Sequence, residues 1–212
     1  MIARRELEPG AKLILRTLAK QLGTSTMPVV EAIRRLERDG LVTQIPKWGA
    51  SVKVWSEQER VEAFHIRRAL EGEAARLFVL RASRAAKEEL VQLGRRFDEL
   101  AVLDPVACDE ADIAIHLHIV RSTGFTRLAQ MVETSKVETA TVFGNFWDEK
   151  LPDYRSKVGI HQRLITALLG DDPAVAAQAM WDHIDQFGRL LLGHEATLPK
   201  PERRRAKRPA LR

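Results

Sequence analysis

The chain has 212 residues, 45% of them hydrophobic, enough for one or two domains and a sizeable core. Its single cysteine, Cys108, excludes an intramolecular disulfide framework and a cysteine-based zinc site, and no apolar run reaches the roughly 18 residues of a membrane-spanning helix. The net charge of +5 is unevenly spread: residues 1–55 carry +5, residues 56–198 carry −6 and residues 199–212 carry +6. A basic front suits a phosphate backbone, whereas the acidic middle argues against a second DNA-binding surface there.

No signal peptide is expected at the start of the chain. Leu15, Leu18, Ala19 and Leu22 recur at helical spacing, so residues 16–22 are predicted to form a helix with one buried face. Gly23 stops it, because glycine enters a left-handed C-cap without a Cβ penalty. Ser25 or Thr26 is placed to cap the next helix, and Pro28 fits its first turn, where the missing N–H costs nothing. Val29, Ile33 and Leu36 form the inward stripe, with Ala32 beside them, while Arg34, Arg35 and Arg38 lie outside it. Gly40 ends this helix. Residues 41–45 and 50–54 are short β-prone runs joined by Pro46-Lys47-Trp48-Gly49, a hairpin turn whose tip offers Lys47 and Trp48 to phosphate or the minor groove. Helix, glycine turn, capped helix and hairpin in this order describe a winged helix-turn-helix, whose second helix fits the DNA major groove.

At this point the chain resembles the GntR family of bacterial transcription regulators. The resemblance rests on PGAKL at 9–13, LAKQLGTS at 18–25, PVVEAIRRLERDGLV at 28–42 and the wing from Pro46 to Gly49. It implies a DNA-binding domain over residues 1–55, with its usual first helix missing or truncated. It also implies contacts to double-stranded operator DNA from Ser25, Thr26, Pro28, Arg34, Arg35, Arg38, Lys47 and Trp48. Three positions depart from the family pattern: Thr26, Val30 and Trp48 stand where arginine is usual. A bidentate arginine–base pair supplies about 1–3 kcal/mol of base discrimination, which these three side chains do not provide in that way.

From Glu57 to about Leu192 the periodicity is helical. Ser56 caps a helix running to Leu80, and Ser83 starts another with Leu90, Leu93, Phe97 and Leu100 inward. After Pro105 a third runs from about Val106 to Ser122 and ends by Gly124. Phe125–Ala140 is a fourth, which residues 141–145 extend or kink. A helix from about Tyr154 to Leu169 follows Pro152. The turn Gly170-Asp171-Asp172-Pro173 caps the last helix, roughly 174–192. The fold class is mainly α: a winged helix-turn-helix followed by an antiparallel bundle of six or seven helices. Residues 56–198 form the second domain. The basic tail, 199–212, is expected to be disordered and could add non-specific DNA affinity.

Asp112 and His116 are four residues apart and share a helix face. His161 and His183 lie about ten and eleven residues either side of the turn at 170–173, hence at similar depth on antiparallel neighbours. Three imidazoles and a carboxylate converging there would bind a divalent transition metal with positions left open. The alternative is that these histidines are ordinary core residues. His118 faces away from His116, and His65 and His194 have no partner visible in sequence.

The same segment resembles the FCD effector domain of the FadR-type branch of GntR regulators. DIAIH at 112–116 is followed by Gly124, HQRLITALLGDD runs from 161 to 172, AQAMWDHI from 177 to 184, and IRRALEGEAARL from 66 to 77. Phe125 replaces the usual asparagine and Ile115 the usual phenylalanine. The resemblance implies that Asp112, His116, His161 and His183 hold the metal: zinc, with nickel or manganese as alternatives. It further implies that Arg67 faces a pocket for a small carboxylate metabolite. Arg67 has an equally weighted alternative, a helix-surface pair with Glu71 worth only about 0.2–0.5 kcal/mol. The chain is thus expected to be a cytoplasmic, homodimeric, metabolite-responsive regulator, a repressor in the commoner case, and not an enzyme. The rivals are a metal-dependent hydrolase on a helical bundle, and a regulator whose metal is purely structural. Cys108 is expected to be incidental.

Overall fold

The computed structural model describes residues 1–2, 6–45, 49–150 and 157–192, and the side chains of all these except 45, 105, 106, 140–150, 187 and 189–192. Lys47, Trp48, His194, the run from Pro152 to Tyr154 and the tail at 199–212 lie outside the described residues.

The front of the chain builds a three-stranded sheet around two helices. Strand β1 (Lys12–Leu13) precedes α1 (Leu15–Gln21) and α2 (Thr26–Arg38), and the hairpin β2 (Val42–Ile45) and β3 (Gly49–Val52) follows. The sheet order is β1-β3-β2, all antiparallel, with Leu13 opposite Ala50 and Val42 opposite Val52. Leu13, Leu18, Ala19, Val29, Ile33, Val42, Ala50 and Val52 form one core, with Leu36 at its edge. Gly23 and Gly40 adopt left-handed φ values of 62° and 74°, which end α1 and α2 without strain.

Several local expectations are corrected here. Strand β1 was not expected, because two residues between Gly10 and Ile14 carry no alternation to read. Leu15 and Leu22 are exposed, since a seven-residue helix presents only its middle, Leu18 and Ala19, to the core. Ala32 is exposed beside the stripe it was assigned to. Ser25 occupies the N-cap with extended backbone, but its side chain makes no cap hydrogen bond. The hairpin's second strand ends at Val52. Lys53 N–H still donates to Leu41 O at 3.0 Å, and Val54 then turns outward, 68% exposed.

Six helices follow among the described residues: α3 (Glu57–Arg81), α4 (Arg84–Leu103), α5 (Pro105–Arg121), α6 (Thr126–Lys150), α7 (Gln162–Leu169) and α8 (Pro173–Leu192). Their starts are chemically specified. Ser56 and Glu59 form a capping box, Ser83 accepts from Ala86 N–H, and Asp104 accepts from Ala107 N–H. Asp172 accepts from Ala174 N–H at 2.8 Å, one residue ahead of Pro173. Their inward faces bury Phe78, Leu90, Phe97, Ile115, Ile119, Leu164, Leu168, Met180 and Ile184 in one core. Helices α3 and α8 approach closely because Gly72 lies under the Trp181 indole and Gly188 under the Phe64 ring. Trp181 Nε1–H donates to Arg68 O at 3.1 Å, fixing their register.

The helix expected from Tyr154 to Leu169 is shorter. Gly159 sits at φ 79°, a left-handed residue that no helix interior tolerates, so α7 begins at Gln162 and His161 is its N-cap residue rather than an interior one.

Candidate metal centre and nucleic-acid interface

Asp112, His116, His161 and His183 come together in the middle of the bundle, each offering one ligand atom within 4.8 Å of the others. Helix α5 supplies Asp112 and His116 one turn apart. Helix α8 supplies His183, whose Nε2 lies 3.2 Å from His116 Nε2. His161 arrives from the α7 start, where its Nε2 lies 3.1 Å from Asp112 Oδ1. The turn before it is anchored twice: Gly159 N–H donates to Asp98 Oδ1 at 2.8 Å, and Lys157 pairs with Asp109 at 3.1 Å. The Phe97 ring meets His161 edge-on at 4.5 Å.

Electrostatics set the protonation states. Burial pushes His183 well below the ordinary imidazole value, and the neighbouring His161 and His116 push the same way. Burial also lowers His161, against the upward pull of Asp112. Both rings are therefore neutral at neutral pH and offer a nitrogen lone pair. Burial alone would raise Asp112, but Lys136 and His116 outweigh it and hold the carboxyl well below its usual range.

Two supporting residues were not identified as such from sequence. Glu71 on α3, 1% exposed, faces His116 Nδ1 with Oε2 and accepts from Arg67 Nε at 2.7 Å with Oε1. Burial would raise its carboxyl; Arg67 and His116 hold it well below the usual range instead. A carboxylate behind an imidazole fixes the ring's tautomer, so that Nε2 points into the cluster. Lys136 on α6 reaches Asp112 Oδ2 at 2.7 Å, on the opposite side of that carboxylate from His161. The i,i+4 spacing of Arg67 and Glu71 was legible, but it reads as a surface pair. Both are buried, and that reading is corrected.

The donor set fits a divalent transition metal. Tetrahedral coordination at metal–ligand distances of 2.0–2.1 Å sets neighbouring ligand atoms about 3.3 Å apart. Three of the six separations are 3.1, 3.2 and 3.6 Å, and all six lie within 4.8 Å. His161 Nδ1 is buried without a hydrogen-bond partner among the described residues, so its orientation rests on the Asp112 contact and the Phe97 ring. His118 lies apart, with Nε2 2.8 Å from Ala86 O. Cys108 is buried and its thiol is pushed up to about 12 by that burial, which leaves it an inert core residue.

At the other end of the chain, Ser25, Thr26, Pro28, Arg34, Arg35 and Arg38 are all exposed on α2 or at its start. The α2 N-terminus has no acidic residue in its first turn and two arginines in its last. Its free first-turn N–H groups suit phosphate oxygens.

Comparison with known proteins gives the frame for both sites. Residues 1–52 match the family of bacterial regulatory proteins called the gntR family, and residues 62–186 match the FCD domain. A probable D-xylose utilization operon transcriptional repressor of Paenarthrobacter nicotinovorans is 30% identical over 195 residues, covering 88% of this chain and 81% of that protein. The transcriptional repressor GlaR of Escherichia coli strain K12 is 27% identical, covering 86% and 87%. Among solved structures, E. coli McbR/YncC superposes with a TM-score of 0.80 at 23% identity, covering 90% of this chain and 91% of that one. A putative GntR regulator from Rhodococcus sp. RHA1 gives 0.72 at 21%, covering 91% and 92%. These families and relatives are transcription regulators rather than enzymes, so the hydrolase reading has no support. No helix among the described residues is long and apolar enough to cross a membrane. The chain belongs to the GntR family, as a DNA-binding transcription regulator that carries an FCD domain behind its winged helix.

Proposed function

We propose that Asp112, His116, His161 and His183 hold one divalent transition-metal ion, zinc in the first place and nickel or manganese as alternatives. A small carboxylate metabolite binds at the ion's remaining positions and modulates operator binding. The observation that carries this reading is the convergence of three imidazoles and one carboxylate, with neutral His161 and His183, in a buried cluster. When bound, the ion supplies a Lewis-acidic seat for a carboxylate oxygen. The chain's own residues do the rest: Glu71 orients His116, Lys136 holds Asp112, and Arg67 stands beside them as an effector anchor.

In this reading residues 1–55 read DNA and residues 56–198 bind the effector and form a homodimer in the cytoplasm. Two copies present two α2 helices to the half-sites of a palindromic operator. Ser25, Thr26, Pro28, Arg34, Arg35, Arg38, Lys47 and Trp48 make the contacts. Two of the matched relatives are repressors by name, which supports repression here as well. A route between the sites runs along α6. Lys136 touches Asp112, and Glu138, two residues on, lies over Gly40 near Asp39 and Lys53 at the base of the DNA module. The effector acts only through its differential affinity for the two arrangements of that junction.

The test is fluorescence anisotropy on the zinc-loaded protein and a DNA site selected from random sequence. A panel of small carboxylates is titrated in. At least one should change DNA affinity by about fivefold or more, within the usual range of allosteric coupling, and His183→Ala should abolish the change. DNA binding indifferent to every carboxylate would overturn the effector reading. Metal removal without effect on carboxylate affinity would make the ion purely structural.

A further inference from the structure

Counting Asp112 itself, the charged side chains in the cluster or touching it directly or through one neighbour are two of each sign among the described residues. Lys136 pairs with Asp112 at 2.7 Å, and Arg67 pairs with Glu71 at 2.7 Å. Both cations are buried, Arg67 6% and Lys136 4% exposed. Three imidazoles add no charge when they act as ligands. The cluster is therefore balanced before a divalent ion enters and carries two uncompensated positive charges afterwards. Buried charge without a counter-charge is costly, so the loaded site calls for two negative charges from its ligand.

The unused donors say where the second of those charges sits. Arg67 donates to Glu71 through Nε alone, and its terminal nitrogens make no hydrogen bond among the described residues. That pair of N–H groups is the fork that accepts a planar oxyanion bidentately. Lys136 gives one of its three N–H donors to Asp112 Oδ2 and has no other acceptor among the described residues. Asp112, which pairs with Lys136, and Glu71, which pairs with Arg67, flank the same imidazole, Asp112 Oδ1 at 3.6 Å from His116 Nε2 and Glu71 Oε2 facing its Nδ1. An anion seated at the cluster would be drawn to both cations. Asp112, with its side chain 27% exposed, is the most open of the four clustered residues.

We infer that the effector of this chain is a dianion: one carboxylate seated at the metal, a second anionic group held between the Arg67 guanidinium and the Lys136 ammonium, and Lys136 the residue that sets it apart from a monoanion. This rests on the metal and carboxylate reading above and narrows it to a chemical class, a dicarboxylate or its equivalent in charge.

The experiment is isothermal titration calorimetry on the zinc-loaded full chain. Its probes are malonate, succinate, glutarate and adipate, each beside its half-amide, with acetate as the monoanion reference. The half-amide keeps length and one carboxylate and removes one charge. At least one diacid should bind about tenfold or more tighter than its half-amide. Lys136→Met should cut that advantage below about threefold, each diacid compared with its half-amide on the same variant, and Lys136→Arg should restore most of it. Acetate binding with every diacid equal to its half-amide would overturn the dianion and leave the carboxylate reading standing. An advantage that survives Lys136→Met would overturn the role of Lys136. A zinc-loaded protein that takes no carboxylate at all would overturn both readings together. The wild-type comparison decides the dianion even if Lys136→Met does not fold.

Discussion

Glu71→Gln is the substitution that probes the interior of the bundle most sharply. Glu71 is buried to 1% exposure and serves two cationic or potentially cationic neighbours, Arg67 through Oε1 and His116 through Oε2. Glutamine keeps the volume and one acceptor oxygen but removes the charge, leaving the Arg67 guanidinium buried without its ion partner. Breaking one side of a buried pair costs about 3–5 kcal/mol. The retained acceptor argues for the lower end, about 3 kcal/mol. For a chain of this length each kcal/mol moves the melting temperature by about 2–4 °C, so the expected fall is about 6–12 °C. The amide also stops holding the His116 tautomer, and the loss of such a partner weakens metal affinity by about 10–100-fold. Differential scanning calorimetry of the metal-free protein reads the first effect, and competition with a zinc chelator reads the second. Glu73→Gln is the control. It sits two residues away and pairs with Arg76 across open solvent, both side chains more than 40% exposed, so it should stay within about 0.5 kcal/mol. A Glu71→Gln protein that melts with wild type and binds zinc equally well would refute the reasoning.

Three further outcomes follow from other parts of the molecule. Gly72→Ala puts a methyl group into the Trp181 indole, and overpacking of this kind costs about 1–3 kcal/mol in urea unfolding; an unchanged midpoint would mean that α3 and α8 have room to move apart. Glu59 is held down to about 2, first by its hydrogen bond from Lys53 and then by the Ser56 cap. Its contribution to stability is thus complete above about pH 4.5 and fades as the pH falls toward 2. A carbon-13 NMR titration should find the Glu59 carboxyl moving up toward 4.5 in Lys53→Met, and by less in Ser56→Ala; no movement in either would mean that neither side chain holds the carboxyl down. Arg34→Ala and Arg35→Ala should each weaken operator binding by about 1–3 kcal/mol if the arginine pairs with a base, read by anisotropy, and unchanged binding would move the reading surface elsewhere.

What was legible in the sequence was what is encoded locally. Gly23 and Gly40 mark helix ends because their backbones turn left-handed, and Ser56, Ser83 and Asp172 mark helix starts because their side chains cap. Asp112 and His116 were legible as a pair because four residues make one helical turn. Matching His161 to His183 by distance from a tight turn brought the right residues together through a partly wrong element, since Gly159 makes His161 an N-cap residue. Lys136 was out of reach: it lies 24 residues from Asp112 on another helix, and only packing brings them together. Glu71 was visible at the right spacing from Arg67, but spacing does not report burial, so a pair inside the bundle looked like one on its surface. Leu15 and Leu22 show the converse: apolar residues at helical spacing lie exposed when the helix is too short for its ends to reach the core.

Whether the four clustered side chains hold a metal decides the rest. Elemental mass spectrometry of purified protein, wild type beside His116→Ala/His183→Ala, measures that directly. About one transition-metal ion per chain in wild type, absent from the double variant at equal yield and helical content, is the predicted result. A wild type that purifies without metal and cannot be reloaded would contradict it, and would return the three histidines to the role of core residues.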